Sequence, residues 1–315
     1  MSVISVETKQ LGQLAGATGL ADTDLLYVEL TNGGSKKMTY ADLLTQIRTS
    51  LTSGEHAMLS LDDIVDVMTD DGTKVPAASL LYDLNATLAP LIREQNCINN
   101  GANGITWDLD ELMALVQAGK MDEFAIGDHF VDGGVTWRIF AKNHYPRWAF
   151  DGSTAGGNVP PNHIVCLPDT SLGSYQFNTS NTNTGGYAGS LMPGKMVTEY
   201  NKLSTKLKSY VKETQIYENN KSAWAAVKRY MRLPTVIEMT GNQGWADQYS
   251  GGVCSQFPLA QATKHRIKDY WYWLLDPVAS NATDFCGVGD YGHSAIVSAS
   301  YSGAVRPEIV LAANQ

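Results

Sequence analysis

Charge is scarce in this chain. Asp, Glu, Lys and Arg make up 17% of its 315 residues, against roughly 25% in an average globular protein, so the polar surface must come from Ser, Thr, Asn, Gln and Gly. Positive charge is scarcer still: 23 Lys and Arg stand against 32 Asp and Glu, a net charge of −9. That balance lacks the basic footprint of a nucleic-acid-binding domain, and no nucleic-acid partner is expected. The densest basic run, Lys202, Lys206, Lys208 and Lys212, is interleaved with Tyr, Leu and Glu and reads as one solvated helix face.

Long apolar runs are missing too. No stretch reaches the ~18 residues of a membrane span, and Met1 to Leu14 has no apolar core of a signal peptide. The expectation is a chain without membrane insertion, made in a cytoplasm or assembled there into a particle. Cysteine is limited to Cys97, Cys166, Cys254 and Cys286, scattered and without a C-x-x-C pair, so zinc-ribbon spacing is absent. Free, mostly buried thiols are the simple reading; a Cys254–Cys286 bridge stays open.

Motifs of catalysis are equally thin. His129, His144, His163, His265 and His293 form neither H-E-x-x-H nor H-x-H. His163 stands near Cys166 in sequence, but a Cys–His nucleophile is a matter of geometry, not of spacing. The acidic pairs Asp62-Asp63 and Asp70-Asp71 lack the alternating ligands of a calcium loop and read as solvated turns. No enzyme activity, no cofactor and no metal are expected. A surface-polysaccharide hydrolase is kept as an alternative, because two carboxylates flanking a sugar bond cannot be recognised from spacing, although the repeats of β-helical depolymerases are missing.

What is present is enough for a core: 43% of residues are hydrophobic. Leu25 to Leu30 reads as a strand and Asn32-Gly33-Gly34 as its hairpin turn. Thr39 and Asp42 place a helix over 40–48, followed by a linker at 49–54. Pro76 opens a second helix, in which Leu81, Leu84, Leu88 and Leu91 recur at 3–4–3 spacing, either an a/d stripe of about two heptads or an ordinary amphipathic face. Pro90 should end or kink it. A short helix is expected over 109–118, a hairpin around Asp132-Gly133-Gly134, and a long irregular loop over 151–190. Helices are expected over 196–212 and 223–230, and a capping box at Thr235 and Glu238 starts another that Gly241 and Gly244 stop. The end is β-rich: 270–275, 285–289, 295–301 and 304–311. Alternation along 270–273 puts one aromatic pair in the core and the other outside, with the Trp271 and Trp273 pair expected inside and Tyr270 and Tyr272 exposed.

Three segments resemble phage tail and fibre proteins. Asp24 to Leu30 with Gly33-Gly34-Ser-Lys-Lys-Met-Thr-Tyr-Ala-Asp42-Leu43 resembles an opening module frequent in such fibres, and Met68 to Leu84, with Lys74-Val-Pro76, resembles a fibre element that leads into a helix packing about a threefold axis. Arg232-Leu-Pro-Thr-Val-Ile-Glu238, Trp271 to Leu275 and Gly303-Ala-Val-Arg306-Pro307 resemble the helix start, the aromatic strand and the closing strand of C-type-lectin-like domains related to formylglycine-generating enzyme. Leu275-Asp276 stands where that family has Arg after the aromatic strand, and the family's reactive cysteine pattern is not matched.

The resemblance implies an α+β chain: an attachment module over 1–54, a helical connector and oligomerisation segment over 55–122 that uses Leu81, Leu84, Leu88 and Leu91, and a C-type-lectin-like domain over 123–315. It implies a virion protein of the tail fibre or tail tip, a homotrimer bound to other phage proteins through its front part and to a host-surface glycan or protein through its end. Lectin-like domains display ligand contacts on loops before the final strands; here those positions hold Tyr270, Tyr272, Asn281, Asp284, Asp290, Tyr291, His293 and Tyr301. Tyr and Asn suit adaptable recognition. A purely structural baseplate, collar or capsid-decorating role is the other alternative.

Overall fold

The computed structural model describes residues 4–5, 25–30, 35–39, 76–145, 160–247, 255–267 and 270–312, with side chains from Leu88 onward in those ranges, Trp224 excepted. Helix and sheet are mixed, in an α+β arrangement. The chain divides into two compact units, Met1–Leu84 and Asn85–Gln315.

In the first unit β1 (Ile4–Ser5), β2 (Leu25–Leu30) and β3 (Ser35–Thr39) form an antiparallel sheet in that order. Leu25 pairs with Thr39 and Glu29 with Ser35, so β2 and β3 form the expected hairpin; its Asn32-Gly33-Gly34 connection lies outside the described residues. The expected helix over 40–48, the linker at 49–54 and the turn at 70–72 lie outside the described residues.

Helix α1 (Pro76–Asn100) begins at Pro76, as expected, but does not end at Pro90. Side chains beyond the proline anchor it. The Arg93 Nε and Nη2 donate to Asp128 Oδ1 and Oδ2, both at 2.8 Å. Glu94 pairs with Lys142 at 2.7 Å and accepts from the Ile126 N–H at 2.9 Å, and Cys97 is fully buried. These contacts offset the hydrogen bond that Pro90 cannot donate. Helix α2 (Leu109–Ala118) forms where expected: Asp108 caps it by accepting from the Asp110 and Glu111 N–H groups, and Leu109, Leu112, Met113 and Val116 are buried. These residues belong to the core of the second unit, which therefore starts well before the expected domain start at 123.

Two five-stranded sheets build that unit. The first has the order β10 (Met231–Arg232), β15 (Glu308–Leu311), β6 (Ile164–Pro168), β5 (Val135–Lys142), β4 (His129–Asp132) and is antiparallel throughout. The second runs β13 (Ser294–Ser298), β12 (Asp284–Val288), β11 (Tyr272–Pro277), β14 (Gly303–Val305), β7 (Gly173–Tyr175), with β11 and β14 parallel. Both feed two apolar cores. Ile139, Cys166, Ile309, Trp273 and Phe285 enter one; Phe140, Val165, Val310, Tyr272 and Cys286 enter the other. Period-2 alternation holds except at the bulge in β5, where Phe140 and Ala141 both enter the second core, and it divides side chains between two cores and not between core and water.

Three expectations are corrected. Residues 223–230 were expected as a helix and are strand β9 (Trp224–Arg229), paired with β8 (Thr214–Asn219). Its turn is built by side chains: Asn219 accepts from the Lys221 N–H at 2.8 Å and Asn220 from the Ala223 N–H at 2.6 Å, the local bonding that makes Asn a turn residue. The single helix expected over 196–212 is two, α3 (Met192–Lys202) and α4 (Thr205–Tyr210), because Ser204 caps the second by accepting from the Leu207 N–H at 3.0 Å. The irregular loop expected over 151–190 contains β6 and β7; the 151–159 segment lies outside the described residues. The capping box is present in α5 (Val236–Thr240), where Thr235 and Glu238 bond reciprocally and Gly241 closes the helix.

Candidate ligand-binding surface

β11 is buried along its whole length, and this corrects the expectation for Tyr272. Alternation exposes one side of a strand only where that face meets water. Both faces meet cores, so Trp273 and Tyr272 are 0% and 2% exposed and point into different ones. Trp271 packs half-buried against the first core. Tyr270, one residue ahead of Trp271 and outside the strand, is 75% exposed.

The other candidate residues separate by position along the second sheet. β12 and β13 pair from Asp284↔Ser298 to Val288↔Ser294, four residue steps or about 13 Å. At one end the turn over 289–293 presents Asp290, Tyr291 and His293 on the surface, Tyr291 at 80% exposure. Tyr270 belongs to this end, because Tyr272 pairs with Val288. Gly292 lets this turn approach the helix α6 (Thr263–Arg266): a Cβ there would lie 3.0 Å from the Thr263 methyl and 3.3 Å from Ile267.

Asn281, Asp284 and Tyr301 lie at the opposite end. Asn281 donates to the Asp284 carboxylate at 2.7 Å and accepts from the Thr283 and Asp284 N–H groups, both at 3.0 Å. The side chains of Asn281 and Asp284 thus shape their own turn. Tyr301 is 62% exposed, on a turn tied to Gln176 and Asn181 through Ser300. The fold therefore brings together Tyr270, Asp290, Tyr291 and His293, and leaves Asn281, Asp284 and Tyr301 apart from them.

One concave feature adjoins Tyr270 and another lies elsewhere on the second unit. A 70 Å³ pocket lies between the 169–171 loop, Tyr270, Tyr272, Ala304 and Arg306. Sequence reasoning passed over Arg306 as a binding group, although the Gly303-Ala-Val-Arg306-Pro307 segment marked it. A broader groove of 310 Å³ separates α3 from β9 and β10, where Tyr200 and Tyr230 stack at 5.2 Å.

Buried ionisable groups cluster elsewhere. Arg232 lies 2.8 Å from both Glu238 Oε1 and Glu308 Oε1, and the Tyr145 hydroxyl lies 2.8 and 2.6 Å from the same two oxygens. Burial acts on both carboxyls, but Arg232 and the Thr235 N–H hold Glu238 below the usual carboxylate range, while burial, reinforced by Glu238, pushes Glu308 above it. His144 faces Glu238 Oε1 at 3.8 Å, and burial lowers its pKa.

Cys97, Cys166 and Cys286 are buried and unbridged, their thiols pushed up by burial; Cys254 lies outside the described residues. His163 does not activate Cys166: its Nε2 accepts from the Tyr145 N–H at 3.0 Å, and burial lowers its pKa to about 4. Among the described residues no three His, Cys, Asp or Glu side chains converge as metal ligands, and no helix is long and apolar enough to cross a membrane. On α1, Leu88 and Leu91 are 41% and 44% exposed, with Ile92 beside them at 58%; the side chains of Leu81 and Leu84 lie outside the described residues.

Comparison with known protein families finds no matching family model. Searches among curated proteins and solved structures find no match either.

Proposed function

We propose that this chain is an adhesive structural protein of a phage particle, a tail-fibre or tail-tip subunit whose second unit, a C-type-lectin-like domain, binds a host-surface glycan or protein. The observation that carries the reading is the exposure of Tyr270 and Tyr291, each at least three-quarters exposed, on irregular backbone beyond the same end of the second sheet, next to the buried strands β11 and β12. Large aromatic side chains are left in water at a cost, and rigid tyrosines on loops offer contact area with little loss of conformational freedom on binding. The raised thiols of the buried cysteines favour binding over nucleophilic catalysis. The exposed Leu88 and Leu91 continue the Leu81 and Leu84 spacing, with Ile92 beside them, and suit a parallel three-helix contact between copies of the chain, while the front part attaches to other virion proteins.

The test is binding of the full chain to intact bacterial cells and competition with phage adsorption, with Tyr291→Ala and Tyr270→Ala alongside. Wild-type protein is expected to bind a susceptible strain and block adsorption, and each variant to bind at least about tenfold more weakly, as hot-spot aromatics do. Equal binding by wild type and both variants refutes this surface. Failure to bind any strain that the phage infects favours a purely structural baseplate, collar or decoration role.

A further inference from the structure

The pocket beside Tyr270 carries a charge pattern that selects its ligand. Arg306 lines it and is held rigidly: Nε donates to the Pro168 carbonyl and Nη1 to the His265 carbonyl, both at 2.7 Å. Its Cζ lies 4.9 Å from the Phe140 ring centre and 5.8 Å from that of Tyr272. The Arg306 guanidinium and the Tyr272 hydroxyl face and polarise each other, but neither Nη2 nor the hydroxyl reaches full hydrogen-bond geometry with any described residue, although both are buried.

The surrounding charge is positive. Asp169 lines the pocket, but its carboxylate is taken by Arg138, at 2.8 and 2.5 Å. Arg266 acts electrostatically on Tyr272. Among these groups Arg138, Arg266 and Arg306 outweigh Asp169. A buried cation and a buried hydroxyl with unused donors are unfavourable, and an anionic oxygen relieves both. At 70 Å³ the pocket is far smaller than the ~300 Å³ of a site that swallows a whole small molecule. The ligand must insert a small anionic group and leave its body outside, where Tyr270 offers an exposed ring.

We propose that this pocket is a subsite for the carboxylate of an acidic sugar in a cell-surface glycan, with the Arg306 Nη2 and the Tyr272 hydroxyl as donors and the Tyr270 ring as the platform for the pyranose face. The glycan setting rests on the adhesive reading above; the binding chemistry is tested separately from it.

The full-length protein is titrated by calorimetry with sodium glucuronate, glucose and sodium sulfate. Glucuronate is expected to bind at least about tenfold more tightly than glucose, the usual scale of one charge-assisted hydrogen bond. Tyr272→Phe, which removes only the hydroxyl, is expected to weaken glucuronate about tenfold. Tyr270→Ala, a surface change that leaves the core intact, should weaken it several-fold. Tyr230→Ala, in the separate groove by α3, should leave it unchanged. Equal binding of glucose and glucuronate, or affinity indifferent to both Tyr270→Ala and Tyr272→Phe, overturns the proposal. Sulfate binding as tightly as glucuronate and ignoring Tyr270→Ala reduces the pocket to an adventitious ion site and overturns the sugar assignment. Cell binding that excess glucuronate fails to compete sinks this subsite alone; glucuronate binding without any cell binding sinks the adhesive role alone.

Discussion

Replacing Glu238 and Glu308 one at a time with glutamine should separate two carboxyls that share an arginine. Their donors differ. Glu238 accepts from Arg232 Nη1 and Nη2, at 3.2 and 2.8 Å, and from the Thr235 N–H at 2.8 Å. Glu308 Oε1 faces Arg232 and Tyr145, and Oε2 has no hydrogen-bond partner among the described residues. The Tyr145 hydroxyl has one proton for two carboxyl oxygens, so with both acids ionised one contact would set lone pair against lone pair. The cluster needs one further proton, and Glu308, poorer in donors, holds it.

Glu238→Gln removes the carboxylate that accepts from both Arg232 nitrogens and the Thr235 N–H, leaving Glu308 to give up its proton and serve Arg232 with fewer contacts; it should cost about 2–3 kcal/mol, lowering the melting temperature by roughly 5–10 °C in a unit of this size. Glu308→Gln replaces an already neutral group by a neutral amide and should cost about 1 kcal/mol or less. The pH dependence discriminates further. The pKa of Glu308 is raised in the fold, to about 8, so its contribution is fully present below the ordinary carboxylate range and is lost as pH rises through 8. Burial lowers His129, His144 and His163, and these act oppositely below about 6.5. The informative quantity is therefore wild type minus Glu308→Gln, by urea unfolding between pH 6.5 and 8.5, which should decline with pH. A flat difference, or a Glu308→Gln variant as damaged as Glu238→Gln, would refute the shared-proton reasoning.

Other expectations are simpler to check. Asp128 also accepts from the Ile105 and Ala125 N–H groups and the Trp107 indole, at 2.9, 3.0 and 2.9 Å; Asp128→Asn turns amide protons toward donors and should cost about 3–5 kcal/mol, seen as a lower urea midpoint and faster tryptic cleavage after Arg93. Gly186 has φ +58° and a Cβ there would lie 2.0 Å from the Asn219 carbonyl oxygen, so Gly186→Ala should cost more than about 1 kcal/mol in a thermal melt. Leu88→Ser combined with Leu91→Ser should convert a trimer to monomer in size-exclusion with light scattering, without lowering the melting point of the second unit by more than a few degrees; an unchanged mass would end the trimer reading.

Local chemistry was the most legible part of the chain. The β2–β3 pairing, helix 109–118 and the Thr235 capping box each rest on a few neighbouring residues, and each forms where those residues predict it. What failed depended on distant partners. Residues 224–229 have no helix-breaking residue, yet pair as a strand because two asparagines upstream fold the chain back. Pro90 breaks a helix in isolation but not one whose next turn is clamped by Asp128. The tyrosines are half legible: Tyr270 and Tyr291 lie on the surface as expected, while Tyr272 is buried, because nothing in a four-residue alternation tells whether the second face meets water or another core. Arg306 escaped notice as a binding group because only the folded chain shows which of its nitrogens are used.

The place of β15 between β10 and β6 also bears on how the protein is made. It is an interior strand, it supplies Glu308, and it follows every other strand of both sheets in chain order. Until it arrives, β6 and β10 have open edges, and both cores lack a wall. The second unit therefore cannot acquire its native packing progressively during synthesis. A chain cut short before Glu308 should present unpaired, apolar strand edges of the kind that aggregate, which gives quality control a simple signal for telling a completed second unit from an incomplete one.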